Sequence, residues 1–198
     1  PNMNKDLNNW SRSCIKCQTN KIQRHTKSPD MSFPLASERF QHVHIDIVGP
    51  LPVSKGYKYI LTIVDRFTRW PEAYPLRDIN ASTVARKFVN EFISRFGVPT
   101  EITTDQGTQF ESKLMSNLCK LLSIKRIRTT AYHPKANGMV ERFHRTLKTS
   151  LRTSEHPSNW SENLPIVLLS LRNTIKEDIG VSPAELVYGK DLRLPTEI

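Results

Sequence analysis

Three cysteines in 198 residues are too few to staple a fold, so a disulfide framework is not the source of this chain's stability. No stretch approaches the ~20 consecutive apolar residues that cross a bilayer, and the N-terminus lacks the apolar core of a signal peptide. A membrane partner is therefore not expected. Internal repeats and low-complexity tracts are also missing. Acids are scarce, with 19 Asp and Glu against 29 Lys and Arg, for a net charge of +10. With 37% hydrophobic and 24% charged residues, the chain reads as a soluble, intracellular globular protein: one large domain, or a domain with an appendage. Its first residue is Pro rather than Met, which reads as a processed product or an excised fragment.

Residues 1 to about 32 are polar, rich in Asn, Lys and Ser, and read as the end of a small upstream domain followed by a linker around TKSPDMSFPLAS. Cys14 and Cys17 lie there as C-x2-C, half of a zinc site, and no second such pair follows. From Phe40 the texture changes. His42 to Val48 is a strand candidate closed by GPLP, and Tyr59 to Val64 is a nearly continuous apolar run expected to be buried on both faces. Asp65 to Thr68 connects it to a third strand near Trp70 to Leu76, where Pro71 and Pro75 predict a sheet edge. Val84, Ala85, Phe88, Val89, Phe92, Ile93 and Phe96 recur at helical spacing between a cap at Asn80 or Ser82 and a stop at Gly97. A strand over Glu101 to Thr104, a helix over Leu114 to Leu122 containing a core Cys119, and a strand over Ile124 to Arg128 come next. After a loop over Thr129 to Asn137, Val140, Phe143, Leu147 and Leu151 form the core stripe of a long helix. Trp160 to Asn173 is helical, with Pro165 either starting its regular part or kinking it. SPAELVYG is a short helix capped by Ser182 and stopped at Gly189. This order predicts an α/β fold, a mixed sheet flanked by helices.

The few acids include three in telling places. Asp46 interrupts an apolar strand, where an uncompensated carboxylate costs several kcal/mol. Asp105 stands 59 positions later at a strand-to-turn exit, and Glu141 follows after 35 intervening residues in the first turns of the long helix. A shared purpose for carboxylates on separate elements is metal binding. Mg²⁺ and Mn²⁺ take oxygen ligands, and a pair of ions about 4 Å apart can clamp the attacking and leaving oxygens of a phosphodiester. Taken singly, Asp105 also suits a turn and Glu141 a solvated helix face. Around the third acid, Lys120, Lys125, Arg126, Arg128, Lys135, Arg142, Arg145, Lys148 and Arg152 are nine basic residues against Glu141 alone, a local +8. Such a field suits a polyanion. Glu141, Arg145, Lys148 and Arg152 fall at i, i+4, i+7 and i+11 and share one helix side.

IDIVGPLP, IVDRFTRWPEAYPL, TTDQGTQF, TAYHPKANGMVERFHRTLK and GVSPAELVYG together resemble the catalytic core of retroviral and LTR-retrotransposon integrases, in detail the gypsy type, over about residues 33–195. WSRSCIKCQTNK resembles the Cys-Cys end of that family's N-terminal zinc domain, whose histidine half would lie upstream of residue 1. The resemblance implies a ribonuclease H-like fold with a five-stranded mixed sheet flanked by helices. It implies a DDE-type polynucleotidyl transferase, with endonuclease activity, that trims the 3′ ends of the element's DNA and joins them to target DNA. Two Mg²⁺ or Mn²⁺ ions are implied, one shared by Asp46 and Asp105 and the other by Asp46 and Glu141. Arg145 and Lys148 match positions that contact the DNA end, and Tyr132 and Asn137 match a loop that approaches the reacting strand. Lys135, Arg142 and Arg152 extend the DNA-binding set. Cys14 and Cys17 would hold Zn²⁺ in the intact domain and bind it weakly or not at all here. The implied partners are double-stranded DNA and further copies of the chain, in the nucleus, reached through a cytoplasmic retroelement particle.

His44, two residues before Asp46 and on the same strand face by alternation, departs from the family pattern; it is expected to fill space beside the site, with a proton shuttle or a metal ligand as the alternatives. Three other readings remain at this level: a ribonuclease H, another DNA-cutting transposase, and a domesticated, non-catalytic DNA-binding protein descended from an integrase.

Overall fold

The computed structural model describes residues 3–19, 38–129, 134–154 and 156–194. Two short helices, α1 (Met3–Ser13) and α2 (Ile15–Thr19), come first. The sheet then builds from β1 (His42–Val48), β2 (Tyr59–Asp65) and β3 (Pro71–Leu76). A long helix follows in pieces, α3 (Ala81–Lys87), a π-helical stretch (Phe88–Ile93) and α4 (Ser94–Phe96). Next come β4 (Glu101–Thr104), α5 (Lys113–Leu121), β5 (Lys125–Arg128), α6 (Pro134–Thr153), α7 (Trp160–Asn173) and α8 (Pro183–Tyr188). The five strands lie in the order β3-β2-β1-β4-β5. β1, β2 and β3 pair antiparallel, while β4 and β5 run parallel to β1, so the sheet is mixed.

Alternation along the strands sorts side chains onto two apolar layers. Val43, Ile45, Leu61, Ile63 and Ile102 turn to one face and pack with Val84, Phe88, Phe92 and Met115. Val48, Ile60 and Ala73 turn to the other and pack with Leu147 and Leu151 of α6 and Leu164, Leu168 and Leu171 of α7. Full burial of such a side chain stabilises by roughly 1.5–3 kcal/mol, so the stripe of α6 is what fixes this helix against the sheet. Even numbers on β1, His44 and Asp46, therefore point toward α6. Gly49 follows β1 because a Cβ there would lie 2.5 Å from the Tyr59 ring and 2.9 Å from the Lys58 carbonyl.

β2 lies inside the sheet and is almost wholly buried, and β3 is an edge strand, as its two prolines require. β3 nonetheless buries Glu72, whose carboxylate accepts from Trp70 Nε1 (2.9 Å), Tyr74 OH (3.0 Å), Arg95 Nη2 (2.7 Å) and Arg172 Nη2 (2.8 Å). That cluster ties the sheet edge to helices on both of its faces. Asp65, also fully buried, accepts from the Phe40 and Thr68 amides and the Thr68 hydroxyl and so holds the β2–β3 turn.

Some expectations shift. The helix after residue 80 widens over Phe88–Ile93. Phe88, Phe92 and Phe96 are spaced by four, and a wider turn keeps side chains four apart more nearly in line, with ring centroids 5.8 and 5.0 Å apart. Asn80 occupies its N-cap without a side-chain bond. α6 begins at Pro134 inside the expected loop, since proline at a first helical position loses only an N–H that would have no helical partner. Pro165 lies inside α7 on its exposed side, where water can reach the carbonyl that lost its donor. α8 is as expected, with Ser182 Oγ accepting from the Glu185 amide and Gly189 left-handed.

Candidate active site

Parallel pairing of β1 with β4 places Ile45 opposite Thr104. The next residue on each strand is an aspartate, so Asp105 leaves β4 beside Asp46. Both line one cleft, together with His44, Thr104, Thr129 and Val140 of α6. Asp46 is held at both ends. Its Oδ1 accepts from the Ile47 amide at 2.7 Å, and its carbonyl accepts from the hydroxyl of Thr62, its partner in the β1–β2 register, at 3.0 Å. Burial pushes the Asp46 carboxyl up to about 6, and the neighbouring charge of Asp105 adds to the rise, against the Ile47 amide and Lys148. Asp105 is exposed, and its Oδ1 accepts from the Gly107 amide at 3.0 Å. A Cβ on residue 107 would crowd the Gln109 side-chain amide and meet that same Asp105 oxygen at 3.0 Å, so a larger residue there would have to displace both side chains.

α6 supplies the wall. His144 Nε2 lies 2.8 Å from Thr62 Oγ1, and its Nδ1 lies 3.7 Å from Asp46 Oδ2. Burial, with Lys148 adding to it, brings the imidazole down to about 4. At neutral pH the pair is therefore neither a hydrogen bond nor an ion pair. His144 was not among the residues singled out from sequence. The signal was present, because position 144 follows Glu141 by three and precedes Lys148 by four, which puts all three on one helix side. His44 is buried in the cleft wall, stacked on His42 at 5.4 Å, and burial brings it down to about 3.

Glu141 sits one turn before His144 and next to Val140, which lines the cleft, with its side chain exposed. Asp46 and Asp105 are thus brought together, and Glu141 stands on the helix beside them. Among the described residues no three His, Cys, Asp or Glu side chains stand close enough to enclose a metal ion. Arg142, Arg145, Lys148 and Arg152 are exposed along α6, and Lys148 is near enough to favour the charged form of Asp46. Lys135 and Asn137 fall in the first turn of α6, and Tyr132 lies outside the described residues. Cys14 is half-buried between α1 and α2, and Cys17 is in α2. Cys119 is in the core. Among the described residues no helix is long and apolar enough to cross a membrane.

The donor set fits a hard divalent cation. Two carboxylates share a cleft, one raised by burial and by the other's charge, and oxygen ligands are what Mg²⁺ and Mn²⁺ prefer.

Residues 36–134 match the family model described as integrase core domain. The Gag-Pol polyprotein of avian reticuloendotheliosis virus is 36% identical over 151 residues, covering 75% of this chain and 13% of that protein. The retrovirus-related Pol polyprotein from transposon 412 of Drosophila melanogaster is 34% identical over 197 residues, covering 98% of this chain and 16% of that protein. The chain thus spans under a sixth of the length of these relatives. Among solved structures, the BIV integrase catalytic core domain superposes with a TM-score of 0.60 at 25% identity, over 74% of this chain and 93% of that one. The HTLV-2 integrase catalytic core domain in complex with magnesium gives 0.61 at 20% identity, over 74% and 95%. The fold is ribonuclease H-like, a five-stranded mixed sheet flanked by helices. The chain belongs to the integrase core domain family, as a retroviral-like catalytic core of the gypsy type.

Proposed function

We propose that this domain is the DDE-type polynucleotidyl transferase of its element, trimming the 3′ ends of the element's DNA and joining them to target DNA. The observation that carries this reading is the pairing of Asp46 and Asp105 at the ends of adjacent parallel strand segments, in one cleft bordered by the basic helix α6. Asp46, Asp105 and Glu141 would hold two Mg²⁺ or Mn²⁺ ions. When bound, such a pair supplies activation of the attacking oxygen and neutralisation of charge on the departing one.

The chain's own groups do the rest. Asp46 is oriented by the Ile47 amide and the Thr62 hydroxyl before any ligand arrives, so little reorganisation is needed there. Glu141, on a helix fixed by Leu147 and Leu151, would join Asp46 and Asp105 as the third carboxylate. Arg142, Arg145, Lys148 and Arg152 grip phosphates along α6, and by the resemblance Lys135, Asn137 and Tyr132 join them in orienting the DNA end. No side chain forms a covalent intermediate. The same reading assigns residues 1–32 to the end of a zinc-binding domain plus linker and 33–195 to the core. Cys14 and Cys17 are half of the zinc ligand set. The assembly is a multimer on double-stranded DNA, working in the nucleus.

Duplex oligonucleotides carrying the element's ends, with Mg²⁺ or Mn²⁺, test the reading. It predicts end trimming and joining. Cleavage of an RNA strand in a hybrid would make the protein a ribonuclease H, and binding without chemistry would make it a domesticated DNA-binding protein.

A further inference from the structure

Asp46 lies within β1, where the sheet itself fixes its backbone, whereas Asp105 is exposed and stands just past the end of β4. Its orientation rests on a circuit of contacts that returns to its starting point. Asp105 Oδ1 accepts from the Gly107 amide at 3.0 Å, and the Gly107 carbonyl accepts from the amides of Phe110 at 2.9 Å and Glu111 at 3.0 Å. The Glu111 carboxylate in turn accepts from two arginines of β5, from Arg126 Nη2 at 3.0 and 3.1 Å on its two oxygens and from Arg128 Nε at 2.9 Å. β5 pairs with β4 in a register that sets Arg128 opposite Thr104, the residue before Asp105. The far end of this turn is also anchored by Phe110, whose ring is wholly buried in the core, and by Ser112, which caps α5. The arginines add control of one peptide plane. Arg126 Nη1 donates to the Phe110 carbonyl, which belongs to the same rigid peptide unit as the Glu111 N–H that reaches Gly107. Arg126 thus grips that unit and the Glu111 carboxylate with one planar fork, only 11% exposed.

We propose that Glu111, clamped by Arg126 and Arg128, is a positioning residue of the metal site: it braces the turn from Asp105 to Glu111 so that the Asp105 carboxylate meets a divalent cation without reordering its loop. The proposal rests on the reading that Asp105 holds such a cation. A turn ordered beforehand spares binding the cost of ordering it, and outer contacts that orient a ligating carboxylate raise metal affinity. Metal affinity is then set in part on the sheet face opposite α6, by side chains that do not touch the ion.

The test measures Mn²⁺ binding by electron paramagnetic resonance and, in the metal-free protein, hydrogen exchange of the Gly107 amide by NMR. Glu111→Gln keeps the size of the side chain and removes the charge that both arginines meet. It should speed Gly107 exchange severalfold and weaken Mn²⁺ binding by at least about tenfold. A carboxylate that merely held the fold together would lower the thermal midpoint and leave the metal affinity of the folded protein unchanged. Arg128→Gln, at a side chain 57% exposed, removes one bond of the clamp without disturbing the core and should weaken Mn²⁺ by about threefold; it decides the question if Glu111→Gln does not fold. Gly107 exchange or Mn²⁺ affinity equal to wild type in the folded variant would overturn the proposal and leave Glu111 as a structural partner of β5. Asp105→Asn should weaken Mn²⁺ as well. If it does so while Glu111→Gln does not, only the brace fails; if Asp105→Asn leaves Mn²⁺ binding unchanged, the assignment of Asp105 to the metal fails, and the role of Glu111 fails with it.

Discussion

Asp46 is expected to reduce the stability of the metal-free protein, so Asp46→Asn should be the more stable chain at neutral pH. The carboxyl is raised from its ordinary 3.8 to about 6, chiefly by burial. At ~1.4 kcal/mol per pH unit, that rise corresponds to ~3 kcal/mol once the group is fully ionised. Its side chain retains 34% exposure, and screening by water reduces the expected cost to roughly 1–2 kcal/mol. The native state holds this proton more tightly than the unfolded chain does. The cost is therefore absent below about pH 4, grows between about pH 4 and 6, and is complete above. Asparagine keeps an oxygen for the Ile47 amide and carries no charge. In a chelator, thermal unfolding of Asp46→Asn should lie roughly 2–8 °C above wild type at about pH 7.5, and the two should converge near pH 4. Adding Mg²⁺ should raise the wild-type midpoint but not the variant's. A variant that melts at or below wild type at neutral pH, or a difference independent of pH, would refute the account of Asp46 as a buried, underneutralised carboxylate.

Other outcomes follow from the same structure. Glu72→Leu leaves Arg172, whose side chain is only 17% exposed, with the Pro71 carbonyl and the Trp70 ring face but no carboxylate; urea unfolding should show a loss of about 3–5 kcal/mol, and a loss under about 1 kcal/mol would mean the cluster is slack. Replacing both Arg145 and Lys148 by alanine should flatten the salt dependence of DNA binding by roughly two phosphate contacts, and an unchanged slope would take these residues off the DNA. The purified chain should carry little or no zinc by metal analysis; stoichiometric zinc would mean that Cys14 and Cys17 find further ligands within these residues.

The strands along the chain and the α6 stripe are legible because burial leaves a mark at every second or every third and fourth residue; the order of the strands in the sheet is not. Val43 and Ile45 are marked by alternation, Ile60 to Val64 by a nearly continuous apolar run, and the sheet edge by Pro71 and Pro75. Asp46 and Asp105 were visible as acids out of keeping with their surroundings. What sequence did not disclose are the contacts made between elements. Glu72 was invisible as a buried hub because its partners Arg95 and Arg172 lie 23 and 100 residues away. His144 leaves no mark in the charge pattern of its helix side, because a neutral imidazole adds none, and its partner Thr62 lies 82 residues earlier. The widening of the helix at Phe88 escaped because spacing by four fits an α-helix nearly as well as a wider one.

The central claim is that Asp46 and Asp105 form a working metal site for phosphoryl transfer, and Asp105→Asn tests it most directly. Asparagine keeps an oxygen for the Gly107 amide bond, so the fold and DNA binding should persist. In a strand-transfer assay with pre-trimmed duplex ends and Mg²⁺, wild type should join DNA and the variant should give no product above background. Joining by Asp105→Asn at a rate near wild type would contradict the account.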